Sequence, residues 1–305
     1  MRRTFAKTML DVGREDDQLV VLVGDISHFA LQPFAQACPG RFFNVGILEP
    51  TIVNMAAGLA HVGLFPVVHT ITPFLIERSF EQIKLDFCYQ KLGGTLISVG
   101  SAFDYSGLGC SHHCYDDFAL IKALPGTEVV YPAMPAEFVA LFRETYRNGR
   151  LTYFRLPEAT HGCDLSVASM KLGQGIVVRQ GESVTILAIG PQLSTAMKAA
   201  PVLESRGIRP EVLYFPTIKP FDSQLLASSV AKTKRLAVIE EHGPSGGVSE
   251  DALKSILGID GVRVSLLTIP NEFQRGYGTY SQHLAACGLT PENLVAKITE
   301  LCKAA

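Results

Sequence analysis

Residues 42–71 read FFNVGILEPTIVNMAAGLAHVGLFPVVHTI. From Thr51 to Gly63 the chain is dense in small and apolar residues, as a helix packed closely on its neighbours requires. FPVVHTI (65–71) is the short apolar run expected of a strand buried on both faces. Glu49 is the one carboxylate in this stretch, and a lone ionised acid is costly to take out of water. Pro50 suits the first turn of a helix, and a carboxylate suits the positive end of its dipole. Read locally, Glu49 is therefore a solvated acid at a helix N-terminus.

The same alternation extends outward in both directions. QLVVLVGD (18–25), GTLISVG (94–100) and RLTYFRL (150–156) read as buried strands, and SFEQIKLDFCYQ (79–90) and PAEFVALFRETYRNG (135–149) as helices. Strands that are apolar on both faces and separated by helices predict a parallel sheet covered on both sides. Between 161 and 180 neither periodicity is sustained, which predicts a linker. The pattern restarts with SVTILAIG (183–190), PEVLYFP (210–216), RLAVIEEHG (235–243) and VRVSLLTIP (262–270) as strands, with helices between them. The expectation is an α/β protein of two consecutive domains, 1–160 and 181–305, each a mostly parallel sheet with helices on both faces.

Of the 305 residues 47% are hydrophobic and 18% charged, and mean hydropathy is +0.22. That balance predicts apolar surface covered by another subunit. No window approaches the roughly 18 apolar residues of a membrane helix, so no membrane association is expected. MRRTFAKTMLDVGRED lacks the apolar core of a secretory leader. A net charge of −2 without a basic run gives no support for nucleic-acid binding. Seven scattered cysteines fit reduced thiols and a cytoplasmic setting better than a disulfide framework.

Two short motifs carry candidate chemistry. CSHHC (110–114) groups Cys110, His112, His113 and Cys114, but structural zinc sites usually combine two separated pairs and no second pair is present. On the Gly-rich stretch SGLGCSHH (106–113) the tandem histidines either meet a polar ligand or are solvated, and chemistry alone does not separate the two. VGDIS (23–27), with Asn54 further on, resembles the start of the Gly-Asp-Gly…Asn metal signature of thiamine-diphosphate enzymes. Ile26 at its third position, and Asn54 within the apolar helix, favour a plain strand-end turn.

The order and spacing of longer blocks are more specific. RFFNVGILEPTIVNMAAGLAHVGLFPVVHTITPFLIERSFEQI (41–83), CSHHCYDDFALIKALPGTEVVYPAMPAEF (110–138), GIRPEVLYFPTIKPFD (207–222) and VIEEHGPSGGVSEDAL (238–253) together resemble the pyrimidine-binding and C-terminal domains of the transketolase family. The domain that binds the diphosphate in one-chain members has no counterpart here, so the resemblance implies the C-terminal subunit of a split transketolase. It implies thiamine diphosphate, with Mg²⁺ or Ca²⁺ held mainly by a separate N-terminal subunit, in a heterotetramer of two of each chain. The implied reaction moves a two-carbon ketol unit from a sugar donor to an aldehyde.

The resemblance also assigns residues. Glu49 is implied to share a proton with the pyrimidine ring nitrogen, and apolar surroundings would raise its pKa for that purpose. Phe74 is implied to stack on that ring, with Arg78 and Asp25 also at the cofactor. His112 is implied to face the substrate, with His113, Ser111 and Arg3 contributing there. Phe29, Gly100 and Glu158 stand where the family reads a sugar phosphate, and Leu108 where it has an Asp, so the terminal group of the substrate is not expected to be read in the usual way. The alternatives are a deoxyxylulose-phosphate-synthase-like or 2-oxoacid-decarboxylating subunit and, outside enzymes, a cofactor-free scaffold.

Overall fold

Twelve strands in two sheets carry the chain in a computed structural model that describes residues 1–303. The first unit contributes β1 (Leu19–Val23), β2 (Phe42–Asn44), β3 (Phe65–Ile71), β4 (Gly94–Val99), β5 (Thr127–Val130) and β6 (Leu151–Leu156). The second contributes β7 (Ile176–Arg179), β8 (Val184–Ile189), β9 (Pro210–Phe215), β10 (Thr217–Lys219), β11 (Arg235–Ile239) and β12 (Arg263–Leu267). The sheet orders are β10-β5-β6-β4-β3-β1-β2 and β12-β11-β8-β9-β7.

Every pairing within β1–β6 is parallel. The expected two-unit α/β architecture is present, and the apolar runs form its interior strands. β1, β4, β5 and β6 are buried along their whole length, because helices cover both faces of the sheet.

Three features depart from the sequence reading. β7 lies inside the stretch expected to be a linker and forms an antiparallel edge on β9, while the same stretch is anchored at its start by buried His161, whose Nε2 lies 2.7 Å from Glu137. β10 leaves the second unit and pairs antiparallel with β5, so the first sheet closes with a strand from the far half of the chain. The segment expected to be an α-helix over 79–90 is one α-turn followed by a π-helix, Ile83–Tyr89.

Several large apolar side chains stay exposed. Ile47 and Leu48 precede the helix Glu49–His61, Met55 and Val62 lie on its outer side or just past its end, and Leu85 and Tyr89 lie on the π-helix. Among the described residues no helix is long and apolar enough to cross a membrane, and all seven cysteines are free.

Candidate active site

The carboxyl ends of parallel strands collect the loops that follow them, which is where open α/β sheets place ligands. Here the segments after β1, β2, β3, β4 and β6 bring in Asp25, Glu49, Phe74–Arg78, the 100–116 stretch and Glu158 in turn.

Glu49 opens the helix Glu49–His61 and is 1% exposed, so the solvated acid expected from local reading is not what the fold makes. Nor is it a lone acid in apolar surroundings. Arg78, on the loop after β3, reaches back and its Nη1 donates to Glu49 Oε2 at 2.8 Å. Glu49 Oε1 accepts no hydrogen bond from the described residues. The same guanidinium lies 4.5 Å from the Phe74 ring centroid, a cation–π contact. Phe74 in turn meets the His112 ring edge-on at 5.0 Å, and Ser111 Oγ lies 3.0 Å from His112 Nδ1. Glu49, Arg78, Phe74, His112 and Ser111 thus form one continuous row.

The other expected residues fall elsewhere. His113 is buried behind the row, packed against Phe103 and His283 at 5.1 and 5.0 Å, with both ring nitrogens unpartnered. Burial, then the neighbouring His283, pushes its pKa below the ordinary imidazole value. Asp25 sits in the left-handed region (φ 53°) and is tied to the end of β2: its amide donates to Asn44 Oδ1 at 3.1 Å and its Oδ1 accepts from Asn44 Nδ2 at 3.2 Å. It occupies a strand-end turn apart from the row. Arg3 is exposed on the outer face of the helix Arg2–Glu15. Its neighbour Arg2 turns inward, donating to the Tyr105 hydroxyl and, at 3.0 Å, to Glu158 Oε1.

Several residues at this end escaped sequence reasoning. Tyr105 extends the row, its ring 6.3 Å from His112. Gly100 makes room for it: with φ +84°, a Cβ there would stand 2.5 Å from Tyr105 Cε2. Asp104 accepts from the Ser101 and Glu158 amides at 2.8 and 3.0 Å. Burial, with Glu241 and Glu158 adding to it, outweighs those hydrogen bonds and pushes the Asp104 pKa up to about 7. His69 is buried between Ile97 O and Ser27 Oγ, each at 2.9 Å, and burial lowers its pKa to about 4, leaving a neutral ring. The helical period was the available signal for Arg2, which shares a face with buried Phe5, Ala6 and Met9, whereas Arg3 shares one with exposed Lys7.

The donors of CSHHC do not converge. Among the described residues, three metal-ligand types come together only at Glu77, Cys114 and Asp116. Glu77 is exposed at the surface, but partial desolvation, with Asp116 beside it, raises its pKa to about 7.

Known proteins share both the domain order and this site-bearing unit. Residues 1–161 match the pyrimidine binding domain of transketolase, and residues 173–294 match its C-terminal domain. The chain belongs to the transketolase family. It is 32% identical to a 1-deoxy-D-xylulose-5-phosphate synthase of Heliobacterium modesticaldum, covering 99% of this chain and 47% of that one. It therefore spans about half the length of the curated synthases it matches. It is 28% identical to a subunit of the apulose-4-phosphate transketolase of Phocaeicola vulgatus, covering 99% and 97% of the two chains. A solved structure described as a split gene transketolase, inactive beta4 tetramer, superposes with a TM-score of 0.89 at 31% identity over 99% of this chain and 97% of that one.

Proposed function

We propose that this chain is the C-terminal subunit of a split, cytoplasmic transketolase that moves a two-carbon ketol unit from a ketose to an aldehyde, using thiamine diphosphate shared with a separate N-terminal subunit. The observation that carries this reading is the buried Glu49 carboxylate, whose Oε1 has no partner among the described residues, in one row with Phe74 and His112. A carboxylate buried at a helix start, with one oxygen left open and joined through Arg78 to the Phe74 ring, suits a flat ring that offers a hydrogen-bond donor at its edge, so the residues present fit the aminopyrimidine of the cofactor.

When bound, thiamine diphosphate supplies the nucleophilic carbon that cleaves the ketose beside its carbonyl. Glu49 holds the proton shared with the ring edge at Oε1, while Arg78 keeps the carboxylate oriented through Oε2. Phe74 offers its ring for stacking, an interaction on the order of 1 kcal/mol. Ser111 fixes the His112 ring through Nδ1, which leaves Nε2 for a donor hydroxyl. His113 supports this loop from behind. The divalent ion, Mg²⁺ or Ca²⁺, takes its ligands from the N-terminal subunit, and Asp25 stands at the edge nearest that subunit.

Support for a partner comes from the exposed apolar side chains before and along the helix that carries Glu49 and on the neighbouring π-helix. Relatives matched almost end to end, one of them named as a transketolase subunit, support a heteromer, here a heterotetramer of two of each chain. The synthases among the relatives make a decarboxylating reaction the competing reading, and release of CO₂ from pyruvate by the reconstituted complex would favour it. The test is co-expression with the N-terminal subunit, followed by ketol-transfer assays and calorimetry with thiamine diphosphate. The complex should bind the cofactor and the isolated chain should bind it poorly. Glu49→Gln, which cannot exchange a proton, should lose about 10²–10⁴ in kcat. Near-normal turnover in that variant rejects the assignment.

A further inference from the structure

The row that starts at Glu49 does not stop at His112. Tyr105 follows His112, and the Arg2 guanidinium lies 5.5 Å from the Tyr105 ring centroid while donating to the Tyr105 hydroxyl. Arg2 also pairs with Glu158 at 3.0 Å, with the two side chains 35% and 55% exposed. Tyr105 is thus the ring that follows His112 in the row, and Arg2 and Glu158 follow Tyr105.

The charge there is unusual for a site that would take a dianion. Arg2 is the cation these contacts bring to it, and Glu158 already occupies that cation. Asp104 accepts the Glu158 amide at 3.0 Å and, buried there, supplies no cation to the site. A phosphate ester carries close to two negative charges at neutral pH and would have to displace the Glu158 carboxylate from Arg2. A phenol hydroxyl, a carboxylate and the remaining guanidinium donors instead offer both acceptors and donors, the complement of neighbouring alcohol groups. Gly100 is what allows this arrangement, since any side chain there would occupy the place of the Tyr105 ring.

We propose that Arg2, Tyr105 and Glu158 form the subsite for the end of the donor remote from its carbonyl, and that this subsite takes an uncharged, hydroxyl-bearing terminus and disfavours a phosphate ester. The inference rests on the ketol-transfer reading and deepens it by naming the substrate class, a non-phosphorylated ketose. Glu158 is then a specificity-determining residue, acting through charge on the substrate terminus.

The test uses the complex of this chain with its N-terminal subunit, with D-xylulose and D-xylulose 5-phosphate as donors. The wild-type complex should favour D-xylulose in kcat/KM by about tenfold or more, the scale expected for a unit charge opposing a phosphate at a half-exposed site. Glu158→Gln should shrink that preference about tenfold by improving the phosphate ester selectively, and Glu158→Arg should invert it. A wild-type preference for the phosphate ester, or a Glu158→Gln variant that changes both donors by the same factor, overturns the subsite while leaving ketol transfer intact. If neither donor turns over, it is ketol transfer from pentuloses that fails. The subsite is then decided by titration with xylitol 5-phosphate, which has no carbonyl to react: tighter binding by Glu158→Gln than by wild type upholds it, and equal binding overturns it.

Discussion

Arg155→Met is the perturbation that should cost this fold most for a single side chain. Arg155 and Asp117 are both 0% exposed and paired at 3.2 Å. The same guanidinium donates to Cys114 O at 3.3 Å and Glu241 O at 3.1 Å, and lies 4.7 Å from the ring centroids of both Phe118 and Tyr131. Burial works against its charge, but Asp117 and the surrounding groups hold its pKa above the ordinary arginine value. Asp117 passes the connection on through Tyr153 (2.6 Å), Ser98 (2.8 Å) and Thr72 (3.0 Å), the residue that starts the short helix bearing Phe74, Thr72–Ile76. Removing the guanidinium strands a buried carboxylate and leaves two carbonyls without this donor. Breaking a buried pair from one side costs about 3–5 kcal/mol, which for a chain of this size corresponds to roughly 5–15 °C in Tm. Adding Asp117→Asn removes the stranded charge and should restore about half of the loss. Thermal denaturation of the full chain at matched concentration reads both variants. A Tm for Arg155→Met within about 2 °C of wild type, or a double variant no more stable than the single one, would refute the reasoning that the pair is held by mutual charge compensation.

Two further predictions concern the stretch after β4. Gly100→Ala forces a left-handed alanine and a Cβ 2.5 Å from the Tyr105 ring, so it should destabilise the chain by about 2–3 kcal/mol in urea denaturation, of which about 1–2 is the backbone contribution. Adding Tyr105→Ala should recover the steric part alone. Asp104, with its pKa raised to about 7, keeps its proton in the folded state where the unfolded chain has lost it. Its contribution to stability is therefore fully present below about pH 4 and is lost as pH rises through about 7. The difference in stability between wild type and Asp104→Asn should shrink over that window. Buried His69, lowered to about 4, has the opposite pH dependence, but it is common to both proteins and drops out. A flat difference between about pH 4 and 7 counts against a buried, protonated Asp104.

What the sequence showed and what it hid divide along a physical line. Apolar runs such as QLVVLVGD and SVTILAIG announce β1 and β8 because a strand buried on both faces needs no partner's identity to be recognised. β2 and β10 are three residues each, too short for any period, and they exist because a neighbouring edge accepts them. The site divides in the same way. Phe74, Arg78 and His112 were reached through the ordered blocks of the family resemblance, and the structure brings all three together. The burial of Glu49 could not be read locally, because its counter-charge lies 29 positions away at Arg78. The inward turn of Arg2 rather than Arg3 was accessible from the helical period but not from the adjacent pair of arginines. Tyr105 depended on a conformation at Gly100 that sequence does not specify.

The position of the second unit explains why a site built on the first sheet needs it. β10 completes the first sheet beside β5. Lys122 donates to the carbonyls of Gly246 and Gly247 at 2.9 and 2.7 Å, and Lys219 reaches back to Lys122 O and Leu124 O at 3.1 and 2.7 Å. Gly190, at φ +57°, lets the Tyr131 ring lie where a Cβ would stand 2.2 Å from it, and that ring is one of the two flanking Arg155. Arg155 in turn holds Cys114 O, next to the His112–His113 pair, and Glu241 O at the end of β11. The loop that carries His112 is therefore braced from the second unit through one buried cation. A rigid row of ring contacts requires that bracing, because ring centroids 5.0 and 6.3 Å apart fix no geometry by themselves. The C-terminal unit acts on the candidate chemistry as the wall that keeps the row in register, without placing a side chain in the row itself.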